Sequence, residues 1–240
     1  MRGLEETVSV WFAIPSARPA HEVEDRLRLW RERGYKIALF CDVKRSHMPV
    51  AEILLIGEYL GYALAVNALV AEILCRDSDA AWVVTGGDDT DPDNSHMARE
   101  IAEECSKHFT GTFGVMQPTG DRWDGGCIDR ICGSPWLGRE FCERANQGRG
   151  PLWYEYTHMF VDEELQNVAI GLGILWQRPD LTHIHHHFCR VGDRVDWARG
   201  RQAMPEFLRE ANSLAHWEKF RALFQARRAA GFPGSEPLPA

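Results

Sequence analysis

The 240-residue chain contains no run of 18 uncharged apolar residues. Its most apolar region, residues 53–74, is interrupted by Glu58 and Glu72 and by Gly57 and Gly61, which excludes a membrane span. No CxxC pair is present. The 7 cysteines, an odd number, read as reduced thiols of a cytoplasmic protein rather than as a disulfide framework. The opening residues, MRGLEETVSVWF, place acids where a leader peptide carries its apolar run. Internal repeats and low-complexity tracts are also missing. What is there is core-forming material: 45% hydrophobic and 10% aromatic residues against 26% charged exclude a disordered chain. The expectation is a soluble, cytoplasmic globular protein.

The net charge of −8 argues against a dedicated nucleic-acid binder. It is unevenly spread, however. Residues 1–175 carry 17 basic and 28 acidic side chains, a net of −11, and residues 176–240 carry 10 and 7, a net of +3. A basic C-terminal part can meet a polyanion on one face of an acidic body, or can simply be a solvated helix.

The first half alternates strand and helix. Strands are predicted at 8–14, 36–41, 53–56, 81–85 and 112–116, and helices at 21–33, 61–75 and 95–108. Strands separated by helices predict an α/β fold, with a mostly parallel sheet flanked by helices. The second half is less regular, with helices predicted at 136–145, 163–172 and 205–228 and a strand at 181–188. The Pro-rich end, 231–240, reads as a flexible tail.

Ligands of open α/β sheets bind beyond the carboxyl ends of the strands. There the sequence places Pro15-Ser16, Asp42, and the run Gly86-Gly87-Asp88-Asp89-Thr90-Asp91-Pro92-Asp93. Four carboxylates within six residues repel one another unless compensated, and Mg²⁺ or Mn²⁺ favours such oxygen ligands. Helix capping by Asp93 or Ser95 accounts for one or two of these acids, not four. In Thr182-His183-Ile184-His185-His186-His187 an extended strand puts His183, His185 and His187 on one face and His186 on the other. Imidazoles on one face suit a transition metal or Mn²⁺, or merely form a polar exposed face. In Phe160-Val161-Asp162-Glu163-Glu164-Leu165, first-turn acids complement the helix dipole, and one of them is also a candidate general base. Cys132-Gly133-Ser134-Pro135-Trp136 leads into Arg139, a turn and a charge that suit a phosphate, and Trp123, Trp136 and Trp153 offer flat faces for a sugar or base, although packing is their commoner task.

Together these residues resemble the GT-A glycosyltransferases, of the inverting kind that use nucleotide sugars. The resemblance spans about residues 8–190. It is closer still to short glycosyltransferase-like proteins of tailed bacteriophages and viral metagenomes, through AIPSARP, GYALAVNAL, TGGDDTDPD, GVMQPTGDRW, GSPWLGREF and MFVDEEL. It implies one GT-A domain over residues 1–230, with a nucleotide-sugar half at about 1–120 and an acceptor half at about 121–230. It also implies site roles. Pro15, Ser16 and Asp42 hold the base and ribose, with Asn67, Asp88, Asp89 and Arg139 on the donor side. Asp89 and Asp91 bind Mn²⁺ or Mg²⁺ together with His185 or His187, although Asp91-Pro92-Asp93 fits the DxD frame as well as Asp89-Thr90-Asp91 does. Asp162 is the base, with Glu163 as the alternative, since Val161 replaces a common Glu. The implied donor is a UDP-sugar, glucose first. The implied acceptor is the hydroxymethyl group of 5-hydroxymethylcytosine in DNA of an infected bacterial host.

For DNA, Trp136 or Trp153 would hold an extruded base. Phosphates would meet Arg139, Arg144 and Arg149, or Arg190, Arg194, Arg199 and Arg201. The alternatives are a small-molecule, glycan or protein acceptor, a metal-dependent phosphohydrolase or nuclease, and a noncatalytic Ca²⁺-binding module.

Overall fold

The computed structural model describes residues 8–42 and 47–239. The acidic stretch 1–7, read above against a leader peptide, lies outside them. In chain order the elements are β1 (Ser9–Pro15), α1 (Ala20–Glu32), β2 (Lys36–Cys41), β3 (Ile53–Ile56), α2 (Tyr62–Arg76) and β4 (Ala80–Val84). They continue with β5 (Thr90–Asp91), α3 (Ala98–Phe109), β6 (Val115–Pro118), β7 (Trp136–Gly138), α4 (Arg139–Gly148), α5 (Val161–Gly171) and β8 (Leu175–Arg178). The last are β9 (Ile184–His185), β10 (Arg190–Val191), β11 (Arg194–Val195), α6 (Trp197–Ala203), α7 (Glu206–Arg209) and α8 (Leu214–Ala229).

Seven strands form one sheet in the order β3-β2-β1-β4-β7-β6-β8. The pairs β3–β2, β2–β1, β1–β4 and β6–β8 are parallel, and β7 runs antiparallel between β4 and β6. This is the expected α/β architecture. Strand alternation splits the core into two layers. Trp11 and Ala13 of β1 face the cluster built with α2, α4, α5 and α8. Val10, Phe12 and Ile14 face the one built with α1 and α3. Helix α1 presents Val23, Leu27 and Trp30 along one stripe, all fully buried, and each such aliphatic side chain contributes about 1.5–3 kcal/mol.

Four expectations are corrected. The segment predicted as a helix from Trp136 begins as a strand, because Trp136-Leu137-Gly138 pairs with β4 and β6 at once. Gly138 is required there: a Cβ would stand 1.9 Å from the Thr112 carbonyl oxygen. The strand predicted at 181–188 shrinks to Ile184–His185. The helix predicted at 205–228 is broken, and α8 starts afresh behind Ser213, whose hydroxyl caps the His216 N–H. The tail is packed rather than loose: Leu238 N–H donates to the Arg144 carbonyl (2.9 Å), Gln147 N–H donates to that of Glu236 (3.2 Å), and Ser235 is buried.

Candidate active site

Because β1, β2 and β4 are parallel, the loops after them gather at one edge of the sheet. Ser16, after β1, donates its hydroxyl to Asp88 Oδ2 (2.6 Å), and Arg18 Nε donates to Asp88 Oδ1 (2.8 Å). Asp42, after β2, and Asp88 both reach the Tyr59 phenol, which burial and then their charges push up to about 12. After β4 the chain turns sharply at Gly87, where a Cβ would meet Asp89 Oδ1 at 2.3 Å. That space lets the Asp89 carboxylate fold back into the site.

The antiparallel β5–β9 pair brings the late histidines to the aspartates. His185 Nε2 stands 3.3 Å from Asp89 Oδ1, and Arg18 Nη2 lies 3.6 Å from Asp89 Oδ2. Burial opposes ionisation of Asp89, but the hydrogen bond and charge of His185, then Arg18, hold it down at about 2. The same contact raises His185 against the effect of burial. His187, whose ring lies 5.2 Å from that of His185 and stacks on Trp123 at 5.5 Å, is lowered to about 4, by burial first and the His185 charge next. Its Nδ1 accepts the Cys189 N–H (3.1 Å).

The remaining acids are already matched. Asp91 takes Arg26 Nη1 on one oxygen and His186 Nε2 on the other, both at 2.6 Å. Asp93 is a cap: it accepts the N–H groups of Ser95, His96 and Thr182. His183, expected on the face of His185 and His187, is instead buried against Trp30 with Nδ1 2.8 Å from Ser134 Oγ.

Asp162 and Glu163 open α5. Phe160, just before the helix, takes a left-handed φ of 69°, a conformation that costs a bulky residue about 1–3 kcal/mol. Its ring lies 5.6 Å from that of Phe224 and 6.0 Å from that of Trp217. Burial and the adjoining Asp162 carboxylate raise Glu163 well above the ordinary carboxylate range, so the pair holds a shared proton at neutral pH. The Asp162 charge also reaches Tyr62, whose hydroxyl bonds Thr85 Oγ1 (2.8 Å) at the end of β4. Burial lowers the His158 pKa, against the charges of Asp162 and Asp89. A cleft of about 510 Å³ opens between α1 and the Asp88–Asp89 turn, lined by Arg18, Arg26, Arg28 and His186 and equally by Glu22, Asp25, Asp88 and Asp89.

Four residues expected at the site are elsewhere. Asn67 is buried in α2 and clasps the backbone of Leu152 from both sides (2.8 and 3.1 Å). Arg139 lies near the amino end of β4, donating to the carbonyls of Leu74, Asp77, Ser78 and Ala80 and pairing with Glu143. Trp136 is wholly buried, and Trp153 is covered by the Arg227 guanidinium 3.4 Å above its ring, so neither has a face for an acceptor. Arg144 is likewise occupied, donating to the Leu238 carbonyl (2.7 Å) and lying over Phe113. Conversely, Arg18, Arg26, His158 and Tyr62 were missed. Arg18 and Tyr62 had a signal, their places in AIPSARP and GYALAVNAL.

No family model matches the sequence, and no curated protein matches it. Among solved structures, the chain is similar to a mutant of Drosophila β-1,4-galactosyltransferase 7 in complex with manganese, UDP-Gal and xylobiose. The identity is 12%, 75% of this chain and 71% of that chain are covered, and the TM-score is 0.47. At that distance the chemistry has to be read from this chain's own side chains.

Asp89, His185 and His187 offer one carboxylate and two imidazoles, a donor set that suits a transition metal or Mn²⁺ better than the oxygen-preferring Mg²⁺. Among the described residues no three His, Cys, Asp or Glu side chains stand at metal-holding spacing. Among the described residues no helix is long and apolar enough to cross a membrane.

Proposed function

We propose that the protein is a metal-dependent glycosyltransferase that moves a sugar from a nucleoside diphosphate sugar to a hydroxyl. The observation that carries this reading is the meeting of the Asp88–Asp89 turn with Arg18 and His185 at the carboxyl ends of the parallel strands, with the acids Asp162 and Glu163 that open α5 as the candidate bases. The first half, to about residue 120, supplies the donor side, and residues 121–230 supply the base and the acceptor side. Ser16, Asp42 and Tyr59, with Pro15 shaping the turn, border the place for the nucleoside.

The chemistry follows from the charges. Asp162 accepts the acceptor's hydroxyl proton as its oxygen attacks the anomeric carbon. The bond from that carbon to the phosphate oxygen breaks, the electron pair leaves with the nucleoside diphosphate, and the anomeric centre inverts. Glu163, keeping its proton, donates towards Asp162. Arg18 and Arg26 stay paired with Asp88 and Asp91 and neutralise those carboxylates beside the diphosphate. A divalent cation held by Asp89, His185 and His187 supplies Lewis-acid stabilisation of that leaving group when bound.

The donor we place first is UDP-glucose. The acceptor we place first is a hydroxymethylated pyrimidine in DNA, 5-hydroxymethylcytosine. The side chains first chosen to hold it are buried or occupied, so support now comes from the basic segment with Arg190, Arg194, Arg199 and Arg201. Of these, Arg190 reaches the site through Asp121 (2.7 Å), which also accepts the His185 N–H.

The test has two steps. Thermal shift with UDP, with and without Mn²⁺, is expected to show stabilisation that requires the metal. No stabilisation by any nucleoside diphosphate overturns the reading. Mass spectrometry of hydroxymethylcytosine DNA and of oligosaccharides, each incubated with UDP-sugars and Mn²⁺, then identifies the acceptor. Phosphate release or strand cleavage without a donor would establish a phosphohydrolase or nuclease instead.

A further inference from the structure

The catalytic reading leaves one buried charge pair unused. Glu164, next to Glu163, is 2% exposed, and Arg227 of α8 is 8% exposed. Glu164 Oε1 accepts Arg227 Nη2 (2.7 Å) and Nε (3.0 Å), and Oε2 accepts Nε (2.9 Å) and the Tyr156 hydroxyl (2.7 Å). The rest of the guanidinium donates to the Pro233 carbonyl (3.2 Å) and Ser235 Oγ (3.1 Å), and its flat face covers Trp153. The last turn of chain closes over the group: Phe232 N–H returns to the Arg227 carbonyl (2.8 Å), and Gly234 lies against Trp153.

Stability alone does not explain such a network, because a buried ion pair is commonly no better than an apolar packing of the same volume. Its location does. The first turn of a helix has unsatisfied N–H groups and frays unless capped. The residue at the N-cap of α5 is Phe160, which supplies no side-chain cap. Asp162 and Glu163 stand in that turn, where the Asp162 carboxylate accepts the Glu163 N–H (3.1 Å) and Phe160 contributes no cap of its own. Successive helical residues are about 100° apart, so fixing the direction of Glu164 fixes those of its two neighbours.

We propose that Arg227, with the C-terminal segment folded over it, is a positioning residue that locks the first turn of α5 through Glu164 and so aims the Asp162–Glu163 pair. The part of this that concerns turnover rests on the glycosyltransferase reading; the part that concerns the helix does not.

The test uses the full chain with Arg227→Lys, which keeps the buried charge but loses the fork, and Tyr156→Phe, which removes one hydrogen bond from Glu164. Arg228→Lys, one residue on and exposed, is the control. Amide exchange at residues 162–165 is expected to rise at least tenfold in Arg227→Lys and by a smaller factor in Tyr156→Phe, with the sheet unchanged. Turnover is expected to fall at least tenfold in Arg227→Lys while the donor KM moves less than twofold. Unchanged exchange at 162–165 overturns the proposal whether or not the protein transfers sugar. So does faster exchange with normal kcat, and so does exchange that rises equally throughout the sheet, which marks a purely structural pair. If the wild type transfers no sugar, the glycosyltransferase reading is what fails, and the exchange of the two variants decides the brace alone.

Discussion

Replacing Glu163 by Gln should make the protein's stability less sensitive to pH. In the folded chain, burial and the Asp162 charge raise the Glu163 pKa above its ordinary value near 4.5. The folded state therefore holds a proton that the unfolded state releases, and stability falls as pH rises from about that value towards the raised pKa. One such proton gives a slope of at most about 1.4 kcal/mol per pH unit. Between pH 5 and pH 7 the wild type should lose roughly 1–3 kcal/mol that Glu163→Gln retains. For a chain of this length that is a difference of roughly 2–10 °C in Tm, opening progressively with pH. Other titrating groups, His185 and His187 included, are common to both proteins, so the difference between the two melting curves isolates the pair. Asp162→Asn should lower the Glu163 pKa and flatten the curve in the same way, but with turnover reduced about 10²–10⁴-fold, the range of a lost general base. Parallel Tm–pH curves for wild type and Glu163→Gln would refute the shared proton, and with it the division of roles between the two acids.

Three further outcomes separate the site from its supports. Asp89→Asn should abolish Mn²⁺-dependent UDP binding in a thermal shift, whereas Asp91→Asn should retain it and cost less than about 1 kcal/mol, since the Arg26 and His186 contacts it loses are partly exposed. Equal loss in both would place Asp91 on the metal. Gly87→Ala should weaken metal and nucleotide binding at least tenfold by displacing the Asp89 carboxylate, with unfolding monitored in parallel; unchanged binding would show that the turn yields. Arg139→Ala should lower stability by about 1–3 kcal/mol with donor KM unaltered, as expected for a group that satisfies carbonyls rather than phosphate; a raised donor KM at normal stability would contradict that placement.

The strands and the stripe of Val23, Leu27 and Trp30 were legible because their periods are local properties of the chain. So was the gathering of Ser16, Asp42 and the Asp88–Asp89 turn, since parallel strands oblige their following loops to meet; the histidines arrive by the antiparallel β5–β9 pair, which no local period announces. The misreadings share one cause, partners remote in sequence. Arg139 was assigned to a phosphate because nothing nearby reveals that the carbonyls around the end of α2 surround it. Asn67 read as a donor contact because Leu152 lies 85 residues away. A three-residue segment such as Trp136–Gly138 has no period of its own and takes its conformation from β4 and β6. The histidine run was read as a long strand with strict alternation. The chain leaves the strand after His185, which is how His186 comes to Asp91 and His183 goes to the core.

The charge balance of the edge bears on why a cation belongs in the reaction at all. Asp88, Asp89 and Asp91 bring three negative charges, and Arg18, Arg26 and His185, whose pKa is raised, answer them. With the resident carboxylates already neutralised, an arriving diphosphate adds two or more negative charges to a partly buried site that has little positive charge left over. Binding it with the proteins' own arginines would require stripping them from Asp88 and Asp91, leaving carboxylates uncompensated at a cost of several kcal/mol each. A divalent cation on Asp89, His185 and His187 displaces only the His185 proton and brings a net positive charge, restoring the balance without breaking either arginine pair. UDP affinity should therefore rise at least tenfold with Mn²⁺. It should also rise with pH through the His185 titration, because metal and proton compete for the same imidazole. Calorimetry of UDP binding at two pH values, with and without Mn²⁺, measures both. UDP affinity equal in the presence and absence of Mn²⁺ would mean that Arg18 and Arg26 do leave their aspartates for the phosphates.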